Sequence, residues 1–208
     1  MQQERAWRKP MRADAARNIE KIITAALDCF REEGPNVSLK TVADRAGVGP
    51  ATLFRNFADK DELVLAAVER QIKVKVEPVA EMALDNPDAA SGLVEVLSAV
   101  MQVANDEHNL LSAVAGRRSL LVGLAGKLIE SLGVLLQRGQ REGTLREELQ
   151  LIDMVRLVAM LIGAGDTLEP GSFAWQRYVA LVEDAIRTHR ENRPLPPLGP
   201  IPGVELPL

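Results

Sequence analysis

Ser38-Leu39-Lys40-Thr41-Val42-Ala43-Asp44-Arg45-Ala46-Gly47-Val48-Gly49-Pro50-Ala51-Thr52-Leu53-Phe54-Arg55-Asn56-Phe57 reads as two short helices around a tight turn. Ser38 is a good N-cap, and Leu39, Val42, Ala43 and Ala46 recur at helical spacing behind it. Gly47 stands where the first helix needs a residue that tolerates positive φ. Gly49 then caps a second helix with Pro50 at its first position, where a missing N–H costs nothing. Leu53 and Phe57 form an i, i+4 apolar pair facing back, Ala43 is small enough for two helices to cross, and Val48 plugs the angle. This is helix-turn-helix geometry, in which the N-terminal end of the second helix reaches base edges. Pro50, Ala51, Thr52, Arg55 and Asn56 point away from the small core. Ala51 and the Thr52 methyl suit a thymine methyl, while Arg55 and Asn56 donate to bases or phosphates. Taken alone, the pattern also fits a helical hairpin with a solvated polar face.

The flanks separate these readings. Upstream, Ile19, Ile22, Ile23, Ala26, Leu27 and Phe30 make one apolar face of a helix that stops at Gly34-Pro35 and can roof the pair. Downstream, Asp59 and Glu62 form a capping box that opens a fourth helix, with Lys60 in its first turn. The run from Asp14 to about Gln71 resembles the N-terminal domain of the TetR family of bacterial transcriptional regulators. That family's pattern Ala-x-x-Ala-Gly-Val-x-x-x-x-Leu-Tyr-x-x-Phe-x-x-Lys runs here from Ala43 to Lys60. The resemblance implies phosphate contacts from Ser38, Lys40 and Thr41, base contacts from Pro50, Ala51 and Thr52, and a footprint completed by Phe54, Arg55, Asn56 and Lys60. Two positions depart from the pattern: Phe54 stands where Tyr is common and Asn56 where His is common. DNA binding is expected to survive both, because the phosphate term is spread over many cationic contacts.

Net charge is −4, yet the halves differ in sign: residues 1–60 hold 11 Lys/Arg against 8 Asp/Glu, and residues 61–208 hold 14 against 21. Arg5, Arg8, Lys9 and Arg12, with Arg17 shortly after them, suggest a flexible basic arm over residues 1–13, either following the DNA backbone or merely solvated. The single cysteine, Cys29, rules out an intrachain disulfide, fits a cytoplasmic protein and reads as a small buried hydrophobe. No apolar run approaches the roughly 18 residues that span a bilayer.

From Leu63 to His189 the strong patterns are helical, which gives an all-α fold: a helix-turn-helix domain over 14–60, a helical ligand-binding and dimerisation domain over 61–192, and a Pro-rich tail over 193–208. Asn86-Pro87 looks like an N-cap and first-position pair. A short helical segment follows at residues 109–115, and a long helix is expected from Arg117 to Glu142, stopped by Gly143. The last two helices are apolar in nearly every direction. A helix apolar all round must be covered all round, so Val155, Val158, Leu161, Ile162, Trp175, Tyr178, Val182 and Ile186 are expected to form an isologous dimer interface. The resemblance implies the same four-helix interface.

An enzyme finds little support. His108 and His189 stand apart with no carboxylate or thiol at metal-ligand spacing, there is no Gly-rich phosphate loop, and no cofactor or metal is called for. The expected function is a homodimeric regulator, most simply a repressor, released from operator DNA by a small molecule. The alternative is a helical small-molecule or lipid carrier, or a partner-binding protein without DNA binding. Met82, Leu97, Met101, Val114, Leu121 and Leu124 could line an aliphatic pocket with Arg117 or Arg118 at its mouth, suited to an apolar, neutral or anionic effector. The same residues also fit a close-packed core.

Overall fold

The computed structural model describes residues 8–114, 123, 125–165, 167–168 and 172–189, with side chains from residue 15 onward. Its described elements are α1 (Arg8–Glu33), α2 (Leu39–Ala46), α3 (Pro50–Asn56), α4 (Lys60–Gln71), a π-helical turn (Ile72–Val76), α5 (Glu77–Leu84), α6 (Ala89–Asp106), α7 (His108–Ala113), α8 (Gly126–Arg141), α9 (Leu151–Gly165) and α10 (Trp175–Ile186). Extended pairing among the described residues amounts to one antiparallel bridge, Leu145 with Arg187. The fold is all-α, as the periodicity predicts.

The chain forms two compact units. One comprises Met1–Ile72 with Asp106–Leu124, the other Lys73–Asn105 with Ala125–Leu208. In the first, α1 packs on α2, α4 and α7, and α2 on α3. The core is built from Ile22, Ala26, Phe30, Ala43, Leu53, Leu63 and Val64, each essentially without solvent contact, and is completed by Leu110 and Val114 at α7. α7 is distant in sequence and is held electrostatically as well. The Arg31 guanidinium of α1 donates to both carboxylate oxygens of Glu107, which is buried, and this pairing raises the Arg31 pKa above its ordinary value. A paired, hydrogen-bonded carboxylate is the form in which burial is tolerated. Sequence patterning gave no sign of this link, because its partners lie 76 positions apart.

Several boundaries differ from expectation. α1 begins at Arg8, so residues 8–13 continue the helix instead of belonging to a free arm. The N-terminal unit is also larger than residues 14–60, since α4 and α7 belong to its body. Asn86 does not cap α6: its Oδ1 accepts the N–H of Asp88 (2.9 Å), and Asp88 is the cap, accepting from the Ala90 N–H and the Ser91 hydroxyl. The expected long helix opens only at Gly126, after Ala125, whose backbone is not helical. Its first stretch, residues 117–122, lies outside the described residues. Gly143 does end α8, with φ +71.

In the second unit α5 packs on α8, α8 on α9, and α9 on α10. A further cluster joins Met101 of α6 to Leu161 of α9 and to Trp175 and Val179 of α10. After α10 the chain returns to the α8–α9 turn, where the Arg146 N–H donates to the Ile186 carbonyl and the Thr188 N–H to that of Thr144. The Pro-rich tail lies outside the described residues.

Candidate nucleic-acid interface

The reading surface depends on how firmly α2 and α3 are terminated, because helices this short supply little stability of their own. Ser38 caps α2 by accepting the Thr41 N–H at 3.0 Å. At the other end Gly47 has φ +66, the Gly47 N–H reaches the Asp44 carbonyl and the Val48 N–H reaches that of Ala43. That pair of bonds is a Schellman stop, which needs a left-handed residue and therefore a glycine. Gly49 caps α3 through its backbone carbonyl, which accepts from Thr52 and Leu53, with Pro50 at the first position. Leu53 and Phe57 are buried against the rest of the N-terminal core, and Val48 packs partly buried in the turn. The geometry is that of the helix-turn-helix expected from the sequence.

With the inner face fixed, the outer face follows. Lys40, Pro50, Ala51 and Arg55 are exposed, and Thr41 and Thr52 are partly so. Phe54 is 55% exposed, although it is a large apolar side chain on a protein surface. It lies beside Arg55, where an aromatic edge can pack on a sugar or a thymine methyl. The ten residues expected to touch DNA thus lie on or beside α2, α3 and the start of α4, but not all are equally available. The Ser38 hydroxyl already accepts the Thr41 N–H and shares a hydrogen bond with the Thr41 hydroxyl (2.9 Å). Asn56 donates its Nδ2 to the Thr52 carbonyl at 2.7 Å, closing the last turn of α3 on itself. Lys60 donates to the Pro35 carbonyl at 2.8 Å. For these three, a local backbone role competes with any contact to DNA.

α4 opens as expected on Asp59, which accepts the Glu62 N–H at 2.9 Å, but the return bond differs in detail. Glu62 reaches back to the Ala58 N–H and not to that of Asp59. Cys29 is fully buried, and burial pushes its thiol pKa up, so it packs as a small hydrophobe.

The residues expected to line an effector pocket come from both units. Leu97 and Met101 are buried in the second unit, whereas Val114 completes the core of the first. Met82 is 66% exposed: α5 turns Ala80 and Ala83 inward, and its apolar sequence left that phase open. Arg117, Arg118, Leu121 and Leu124 lie outside the described residues. What the patterning missed is polar. The Trp175 indole N–H and the Ser172 hydroxyl are buried without a hydrogen-bond partner among the described residues, at and just before the start of α10.

The residues expected at the dimer face differ in exposure within the single chain. Leu161, Trp175 and Ile186 are buried within their own unit, while Val155, Val158, Ile162 and Val182 are partly covered and Tyr178 is exposed. The most exposed apolar side chains are ones the periodicity did not single out: Met160 and Phe173, each 68% exposed, and Leu181, 56%. All-round apolarity showed that coverage was needed but could not say which stripe faced inward.

Among the described residues there is no group of three or more metal-ligating side chains, and no helix is long and apolar enough to cross a membrane. A family model, "Bacterial regulatory proteins, tetR family", matches residues 22–67, confirming the resemblance in the helix-turn-helix segment. An HTH-type transcriptional regulator of Staphylococcus aureus is 30% identical over 112 residues, a match that spans 53% of this chain and 60% of that protein. The crystal structure of the TetR transcription regulatory protein from Mycobacterium vanbaalenii is 28% identical, covers 86% of this chain and 100% of its own, and superposes with a TM-score of 0.57. The transcriptional regulator FadR from Bacillus subtilis, solved with stearoyl-CoA, shares the fold at 18% identity and a TM-score of 0.61, covering 80% of this chain and 98% of its own.

Proposed function

We propose that this chain, whose N-terminal domain is of the TetR type, is a homodimeric cytoplasmic transcriptional regulator that binds operator DNA through α3 and answers to a small molecule held by its second unit. The observation that carries the reading is the exposed face of Pro50, Ala51, Thr52, Phe54 and Arg55 on a helix whose two ends and inner face are fixed. A carrier has no use for such a surface. Each subunit would place α3 in one major groove, and the dimer two-fold would set the separation of the half-sites. Repression is the simplest outcome of occupying an operator.

The dimer reading is supported by Met160, Phe173, Tyr178 and Leu181, exposed apolar residues on or beside α9 and α10. The effector reading is supported by the Trp175 N–H and Ser172 hydroxyl, donors available to a ligand acceptor, together with Met101, Leu161 and Val179 around Trp175. Those donors are neutral, which favours a mainly apolar ligand with a carbonyl over a buried carboxylate. Such a ligand releases DNA only by binding better to a subunit arrangement that misfits the half-sites.

A gel shift with DNA from upstream of the chain's own coding sequence tests the reading. A retarded band that survives excess unrelated DNA is expected. A carrier would give none, or one that the competitor removes.

A further inference from the structure

Pro50, Ala51, Phe54 and Arg55 are the fully exposed residues of α3, while Leu53 and Phe57 are buried. Positions 50 and 54, and 51 and 55, are each one turn apart, so the four side chains make one contiguous patch. Its hydrogen-bonding capacity is small. Arg55 carries the patch's only side-chain donors, Thr52 beside it is partly buried, and Asn56 gives an N–H to the Thr52 carbonyl at 2.7 Å. The rest is hydrocarbon: Pro50, Ala51 and the Phe54 ring, which is 55% exposed. An aromatic ring left this far in water is area that binding can remove. Helical side chains lean toward the N-terminus, so the Phe54 ring lies over the first turn of α3, beside Pro50 and Ala51. This is the end of a recognition helix that meets base edges. In the major groove, the apolar group that a base pair presents is the 5-methyl of thymine. The Phe54 ring has no hydroxyl or amine with which to prefer another base.

We propose that Phe54 is a specificity-determining residue: its ring, with Ala51 and Pro50, packs on a thymine methyl, and α3 thereby selects a 5-methylpyrimidine at that position of each half-site. The inference rests on the DNA-binding reading of α3 and deepens it by naming the group that is read. Arg55 and Lys40, both exposed, supply charge for phosphates or a guanine and leave this apolar part of the selectivity to Phe54.

The test is a cycle between a change in the protein and a change in the DNA. A duplex recovered by the wild-type chain from random DNA is resynthesised with uracil for thymine, one position at a time, which deletes a methyl and keeps every hydrogen-bonding group. At one position of the half-site, uracil should weaken wild-type binding about fourfold, the worth of one buried methyl. The slope of log K against log salt should not change, because no phosphate contact is touched. In Phe54→Ala, at an exposed site that leaves the core intact, the same exchange should matter by less than about 1.5-fold. A cytosine pair placed there adds a second arm: methylating its C5 should recover about fourfold in the wild type and nothing in the variant. A selected half-site without thymine, no uracil penalty at any position, or penalties that all survive undiminished in Phe54→Ala would each overturn the proposal. In each of these cases the chain still binds DNA, so the DNA-binding reading stands. A pool that yields no duplex removes that reading, and the assignment of Phe54 with it.

Discussion

The two compact units finish their surfaces differently. Among the described residues, the large apolar side chain that the N-terminal unit leaves exposed is Phe54, on the face expected to meet DNA. The second unit exposes Val74, Met82, Val134, Met160, Phe173, Tyr178 and Leu181. The first unit closes its own core and turns caps and charges outward. Among the described residues, the second leaves these apolar side chains uncovered, and they form the surface on which the proposed dimer would close.

The sharpest way to break this contrast is to put a charge on the two sides of one interface. Leu161→Glu places a carboxylate in a site only 5% exposed and should cost several kcal/mol, enough to unfold the second unit. Leu181→Glu, at a residue 56% exposed, should leave the fold intact and produce monomers. Circular dichroism and sedimentation read the two outcomes. A folded Leu161→Glu dimer, or a Leu181→Glu dimer of unchanged affinity, would place the interface elsewhere.

In the N-terminal unit the largest expected effect is at the link to α7. Arg31→Met removes the guanidinium that pairs with the Glu107 carboxylate, whose side chain is 1% exposed, and should cost about 3 kcal/mol in urea unfolding. A loss under about 1 kcal/mol would mean that apolar packing through Leu110 and Val114 holds α7 without the ion pair. Next in size is the α2 cap. Ser38→Ala removes the acceptor of the Thr41 N–H and should cost about 1 kcal/mol. If duplex affinity falls further than that loss explains, Ser38 also touches phosphate.

The smallest effect concerns acid stability of the second unit. The Ser91 hydroxyl, aided by backbone N–H groups and by Arg187, holds the Asp88 carboxyl below its ordinary pKa. A carboxylate with a depressed folded pKa stabilises fully above its unfolded value of about 3.9 and loses that contribution as pH falls through the folded value. Asp88→Asn should therefore flatten the stability curve below about pH 4 and leave the slope at neutral pH unchanged. An unchanged acid limb would show that Asp88 acts only through its uncharged cap geometry.

The N-terminal unit was legible because its signals are local. Ser38, Gly47, Gly49, Pro50 and Asp59 each specify a backbone state within a few residues, and each stands where those signals put it. The Lys60–Pro35 hydrogen bond and the Arg31–Glu107 pair were not legible, because their partners are 25 and 76 positions away. The second unit carried weaker local signals. Asn86 and Asp88 are both competent caps two residues apart, and only the completed turn selects Asp88. On helices as apolar as α5 and α9, hydrophobicity does not give the phase, and the fold turns Met82 outward and Leu161 inward.

Selection from random DNA tests the central claim most directly. The full chain is incubated with a randomised duplex pool at moderate salt, and the bound fraction is sequenced over successive rounds. The account predicts a two-fold symmetric site whose half-sites lie about 10 base pairs apart, or a multiple of that, with preferences at bases facing Ala51 and Thr52 that shift in Thr52→Ala. A pool that stays unenriched, or an enriched sequence indifferent to every change on the exposed face of α3, would contradict it.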